Sequence, residues 1–453
     1  MIRHGLTFCI DRDKIWNLSK KPYDLTHDFC YVGNGDKKLH YVRSVPPSGI
    51  TGETSLVIFM HGFPDSWHLW KHYLVNAQIA SKAVLIAVDL PGHGGSDSLE
   101  RYGPNEVLSL LSDFILRMRE QYLAPPGKRA AGKKAPRVLI VAHDWGALLA
   151  FRLAAEAPEL ADRFILSNAA HPPVIIANIK GRLETAKRML RAWMQSPRNY
   201  RLLAKSYANV KPILAQLVKS GYVFTFRLPP PFTPVLGSLG DFWFFRLLNA
   251  VACGDNDPSV PARTPLGYGL LASTAGPGPA ECETEVAAAD ADASTSEDGS
   301  SAAWKYSEGV RRRSATAGWL DKTALYRDGC FAAKWDKPLE LLVALAADRR
   351  RASSAVAIAK LGPDGALLAP VSLLWGAADL AVENALALDG FVDYFTRASH
   401  IVKITGCGHW APVDPVGEPV FDAVLNWALD GEKQPLRAAL AADYPMAVIA
   451  TEK

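Results

Sequence analysis

Residues 138–147 read Val-Leu-Ile-Val-Ala-His-Asp-Trp-Gly-Ala. The pattern is that of a strand, a sharp turn and a helix. A side chain at the apex of such a turn is lifted clear of the sheet. The crowded backbone there needs small residues two before and two after, here Ala142 and Gly146. The apex residue is Asp144, at the N-terminus of a helix whose dipole favours an anion. A serine in this place would attack a carbonyl carbon. A carboxylate is suited to displacing a leaving group from saturated carbon, which leaves an ester on the protein. Read alone, Asp144 is equally consistent with a helix cap, so its meaning rests on partners elsewhere.

Those partners are recognisable by position. Gly406-Cys407-Gly408-His409-Trp410 follows the apolar run 401–404. A histidine on a glycine-flanked loop after a late strand is placed to act as general base on water attacking the ester. Asp379 follows the run 371–375 and is the expected orienting acid. Glu383, Asp389 and Asp393 compete with it but lie deeper in a helix-like stretch. His61, Gly62, Phe63 and Pro64 follow the run 56–60. The backbone N–H of Phe63, with that of Trp145, would form an oxyanion hole. The order along the chain is nucleophile, acid, histidine.

These residues need a scaffold that brings strand ends together. Short apolar runs at 39–45, 56–60, 83–88, 138–142, 164–166, 371–375 and 401–404 end at turn residues. Several are apolar on both faces, as strands buried in a parallel sheet are. Helix-like segments at 106–122, 147–157 and 420–429 lie between or after them. The alternation predicts an α/β sheet, with function in the loops after the strand C-termini. It breaks from 172 to 368, which is expected to be a mainly helical cap inserted between core portions 1–171 and 369–453. Residues 254–301 within the cap are rich in Ala, Gly, Ser and acidic residues and are expected to be a disordered loop, with 125–136 a smaller one.

The chain has 453 residues and a formal net charge of +4. That excess is too small to argue for nucleic acid, and clusters such as 128–134, 311–313 and 349–351 read as solvated faces. None of the six cysteines forms a C-x-x-C pair or has histidines at zinc-like spacing, so no metal is expected and a reducing, cytoplasmic setting is. No uninterrupted apolar stretch is long enough to span a bilayer. The oligomeric state is not legible.

The motifs HGFPDSW (61–67), DLPGHGGSD (89–97), AHDWGA (142–147), WGAADLAV (375–382) and GCGHW (406–410) together resemble the epoxide hydrolase branch of the α/β-hydrolase superfamily. The resemblance implies a mostly parallel eight-stranded sheet flanked by helices. It also implies hydrolytic opening of a small apolar epoxide by water to a vicinal diol, with no cofactor, and a detoxifying role. It further implies two cap tyrosines that protonate the departing epoxide oxygen. Tyr222 opens a Tyr-x-x-x-Phe-x-x-Pro run, and Tyr326 precedes Arg327. The family usually has Asn-Tyr-Tyr-Arg at the latter, so Ala324 and Leu325 depart from its pattern. Two rival readings are a haloalkane-type dehalogenase sharing the Asp nucleophile and a non-catalytic binding protein on the same fold. An ester or carbon–carbon hydrolase would want serine at 144.

Overall fold

The computed structural model describes residues 12–33, 35–51, 53–123, 135–228, 273–287, 303–314, 318–349, 362–440 and 443–453. Among the described residues eleven strands run β1 Thr26–Val32, β2 Lys37–Ser44, β3 Ser55–Met60, β4 Ala83–Val88, β5 Val138–His143, β6 Arg163–Ser167, β7 Val286–Ala287, β8 Ala303–Trp304, β9 Val371–Gly376, β10 His400–Ile404 and β11 Ala447–Glu452. Nine of them form one sheet in the order β1-β2-β4-β3-β5-β6-β9-β10-β11. The expected eight strands are thus nine. The inner pairs from β4 to β10 are parallel. The pairs β1–β2, β2–β4 and β10–β11 are antiparallel.

Every residue of β3, β4, β5 and β9 is buried. Helices Pro104–Tyr122, Asp144–Glu156 and Glu418–Leu429 each bury an apolar stripe, as a covered parallel sheet requires. The sheet places its functional loops by direction alone. β5, β9 and β10 run parallel, so the segments leaving their C-termini emerge at one edge. Those segments carry Asp144, Asp379 and His409.

Between β6 and β9 the chain builds helices Pro172–Gln195, Tyr200–Lys219, Gly221–Phe226, Glu308–Arg313, Trp319–Ala324 and Leu339–Arg349. The expectation of a disordered 254–301 is corrected over 273–287. Ser273, Thr274 and Cys282 are buried. The Ser66 and Ser273 hydroxyls meet at 2.6 Å, the Lys322 ammonium donates to the Thr274 carbonyl, and β7 pairs with β8. Gly276 within it takes a left-handed backbone conformation, φ +73°, and lies in van der Waals reach of the Gly94 carbonyl. The remainder of 254–301, and 124–134, lie outside the described residues.

Candidate active site

Asp144 has φ +48°, a left-handed backbone conformation rare for a residue with a side chain. Close packing around the turn imposes it. A Cβ on Gly146 would fall 2.4 Å from the His61 carbonyl, and one on Gly62 would fall 2.5 Å from the Asp144 Cβ. Ala142 is fully buried beneath the turn. The elbow, the glycines and the HGFP loop are therefore one packed unit.

The Phe63 N–H donates to Asp144 Oδ2 at 2.9 Å. The Phe63–Pro64 peptide is cis. His61 holds this loop. Its Nε2 accepts the Leu90 N–H at 2.9 Å, which leaves the proton on Nδ1, and Nδ1 donates to the Gly62 carbonyl at 2.7 Å. Burial pushes His61 down to about 4, so it stays neutral as that pattern demands. Trp145 is second in its helix, so its N–H has no partner within the helix.

On the other side, His409 Nε2 lies 3.6 Å from Asp144 Oδ1, and its Nδ1 lies 2.9 Å from Asp379 Oδ2. Burial alone would lower the His409 pKa. Asp379 and Asp144 together overcome it and raise it to about 10. Burial likewise opposes the charge on Asp144, but His409 and the Phe63 N–H hold that carboxyl below its ordinary range. The shifts favour a resting ion pair, with imidazolium between two carboxylates.

Asp379 is fixed from several directions. Its Oδ1 accepts the N–H groups of Ala381 and Val382 at 2.6 and 2.9 Å. Its Oδ2 also accepts the Asn168 amide at 2.7 Å. Despite burial, these donors and His409 keep its pKa low. Glu383 pairs instead with Lys219 at 3.2 Å and Asp389 with Arg182 at 2.5 Å, away from His409.

Two residues here were not singled out from sequence. Asn168 follows β6 with φ +44°, and its Oδ1 accepts the Gly376 N–H at 3.1 Å. An Asn just past a parallel strand was the available signal. Asp65 lies within HGFPDSW. Burial pushes it up to about 7, one oxygen accepts the Trp410 indole N–H at 2.9 Å, and the other has no partner.

Tyr222 and Tyr326 both reach the site from the cap. Their rings meet edge-on at 6.0 Å. The Trp145 indole packs edge-on against the Tyr326 ring, with centroids at 4.8 Å. Burial, then the partner tyrosine and Asp144, raise the Tyr326 pKa, while burial and then Asp144 raise that of Tyr222. Phe63 packs against Phe226 at 5.2 Å, Tyr326 at 5.2 Å and Trp319 at 6.0 Å. The arrangement is a carboxylate in an aromatic enclosure, with an imidazole on one side and two phenols on the other.

The fold and this site define a class, that of the α/β hydrolases, and residues 55–216 match the family described as alpha/beta hydrolase fold. Curated proteins similar to parts of this chain include several epoxide hydrolases. The chain is 28% identical over 214 residues to epoxide hydrolase 3 of Xenopus tropicalis, 47% of this chain and 42% of that protein. It is 31% identical over 145 residues to the mouse epoxide hydrolase 3, 32% of this chain and 34% of that protein. The chain thus spans less than half the length of these relatives. Among solved structures it is similar to a haloalkane dehalogenase from Bradyrhizobium elkanii (17% identity, 90% of this chain, 98% of that one, TM-score 0.48) and an epoxide hydrolase from Vigna radiata (16% identity, 90% and 98%, TM-score 0.46).

Proposed function

We propose that this chain is an epoxide hydrolase acting on a small apolar epoxide. The observation that carries this is the pair of half-buried phenols, Tyr222 and Tyr326, whose rings meet edge-on at 6.0 Å and which interact electrostatically with Asp144. A halide leaving group needs no proton, whereas an epoxide oxygen leaves as an alkoxide and does. Phe63, which stands where a halide-binding side chain would serve, has no polar group.

The reaction runs in two parts. Asp144 Oδ2 rests on the Phe63 N–H, so Oδ1 attacks an epoxide carbon. A C–O bond forms there as the ring C–O bond breaks, and a tyrosine proton goes to the freed oxygen. The first half leaves an ester, a tyrosinate and the His409 cation. Esterification removes one of the two carboxylates that held the proton on His409, and a proton passes from His409 to the tyrosinate through water. Neutral His409, oriented by Asp379, then takes a proton from a second water whose oxygen attacks the ester carbon. The oxyanion is held by the N–H groups of Phe63 and Trp145. Collapse expels the diol oxygen, which takes the proton of the new carboxylic acid. Asp144 carboxylate and His409 cation are restored, and one water has been consumed.

The test is trapping. A His409→Gln variant incubated with styrene oxide is expected to gain the mass of the epoxide on the peptide containing Asp144, and to gain nothing from a bromoalkane. An adduct from the bromoalkane instead would make it a dehalogenase. No adduct from either, with no diol from the unaltered protein, would leave only a binding role. Among the described residues Cys30, Cys282 and Cys330 are buried thiols outside any disulfide, which supports a reducing setting such as the cytoplasm.

A further inference from the structure

The two long cap helices carry a surface that the reaction leaves unused. Residues 172–220 contain ten Lys and Arg and a single acidic residue, Glu184. The whole chain has a net charge of only +4, so everything else is net acidic. Arg182, Lys187 and Lys219 have acidic partners. Lys180, Arg198, Arg201, Lys205 and Lys211 have none among the described residues.

Apolar residues share this surface. On Pro172–Gln195, Lys180, Leu183, Lys187, Leu190 and Met194 recur at three- and four-residue intervals and form one row. On Tyr200–Lys219 the row is Tyr200, Leu203, Tyr207, Leu214 and Val218. These side chains stand in solvent: Met194 is 58% exposed, Tyr207 62% and Val218 82%. The seam between the helices is marked by the Ser206 hydroxyl, which donates to the Ala186 carbonyl at 3.0 Å. Each row is turned roughly 100° from that seam in the same rotational sense. Because the helices are antiparallel, equal rotations bring both rows to one side of the hairpin.

We infer that the cap hairpin docks this chain on the surface of an anionic lipid membrane, lying in the interface. Among the described residues no helix is long and apolar enough to cross a membrane, and this mode needs none. Cations on a helix flanked by Leu, Met, Tyr and Val match an interface that offers both anionic headgroups and acyl chains. A nucleic acid would satisfy the cations but leave the aliphatic rows in water. A second copy of the chain would set ten cations against ten. The face also adjoins the site. Val218 is four residues from Tyr222, and the Lys219 ammonium donates to the Asp379 carbonyl at 3.0 Å. If the proposed reaction holds, an apolar substrate dissolved in the bilayer would enter beside its acid.

The experiment is co-sedimentation of the full chain with vesicles of phosphatidylcholine alone and of phosphatidylcholine with phosphatidylserine at 7:3. Binding is expected only to the anionic vesicles, with release by 0.5 M NaCl. Lys180→Gln with Lys187→Gln and Arg191→Gln should weaken partitioning on the order of 100-fold. Tyr207→Ser with Leu214→Ser and Val218→Ser should weaken it by about 10-fold or more. Circular dichroism and melting curves check that both variants fold. Turnover of a water-soluble epoxide should be unchanged in them, so failure here and failure of the proposed reaction are read separately. The inference is overturned by absence of binding, by equal binding to both vesicles, or by binding that both variants retain. It is also overturned if the basic residues bind a DNA oligonucleotide but no vesicle, or if light scattering shows a dimer that the apolar variant abolishes without vesicle binding.

Discussion

Tyr222 and Tyr326 can serve a departing oxygen only while they carry their protons, and burial keeps them protonated. Each is also aimed by another ring: Tyr326 by the Trp145 indole, Tyr222 by Tyr326. Replacing both by Phe keeps the apolar enclosure and removes the two donors. The rate of ester formation from an epoxide should fall on the order of 10²- to 10⁴-fold, while hydrolysis of an ester already formed should change little. Single-turnover tryptophan fluorescence separates the two steps. Unaltered ester formation would remove the acid role. Asn168 acts one step back, through Asp379. Without its amide, the Asp379 carboxylate loses a donor and its pKa rises, so it becomes protonated at a higher pH. Asn168→Ala should therefore move the acid limb of the kcat profile upward and lower kcat by about 10-fold. An unshifted profile would mean that Asn168 only packs.

At the scale of elements, the parallel strands were legible because burial on both faces writes itself as continuous apolar sequence. The runs 56–60, 83–88, 138–142, 371–375 and 401–404 fall within one residue of β3, β4, β5, β9 and β10. The edges were not legible. β1 buries His27 and Asp28, which pair through His27 Nδ1 with His40 at 3.0 Å and through Asp28 Oδ2 with Arg43 at 2.5 Å, so its burial rests on pairing that hydropathy does not record. β11 alternates between half-buried and exposed, with Ala447 and Ile449 on the side that packs against the core, but Val448 and Ala450 face out, so its apolar run hides the alternation. Residues 273–287 read as unstructured because a composition average does not record the burial of Ser273, Thr274 and Cys282. The turns at the site were legible through their glycines, which need space. This gives the element-scale prediction. The Cβ of Gly62→Ala would meet Asp144 at 2.5 Å, and the loop would have to withdraw the Phe63 N–H from the carboxylate. A kcat loss of about 10²- to 10³-fold is expected, with the melting temperature changed far less than activity. Full activity in that variant would show that the loop can shift without cost to the oxyanion site.

For the whole molecule, the site's electrostatics are linked to folding. The sheet brings Asp144 together with Asp379 and His409, more than two hundred residues further along the chain, and the protonation of His409 then depends on the chain being folded. Its pKa is about 10 in the folded protein and near 6.5 in an unfolded chain. A group whose pKa is raised on folding contributes stability fully below the unfolded value. That contribution fades above it and is gone once pH has risen through about 10. Asp144 and Asp379 are shifted downward; their contribution is present above about pH 4 and is lost as pH falls through their folded values. Between about pH 5 and pH 6.5 all three therefore favour folding. Raising the pH from 6.5 to 10.5 should lower the melting temperature of the unaltered protein more than that of His409→Gln, whose amide does not titrate. Their difference should shrink steadily over that interval. Esterification of Asp144 removes one carboxylate from the cation. Trapping the ester in an Asp379→Asn background, where hydrolysis is slowed, should shift the end of the interval to lower pH. Melting curves of the free and alkylated protein across pH 6 to 11 make the comparison. Parallel curves for the unaltered protein and His409→Gln would show that the imidazole is neutral at rest, and the first half of the proposed reaction would then need a different proton inventory.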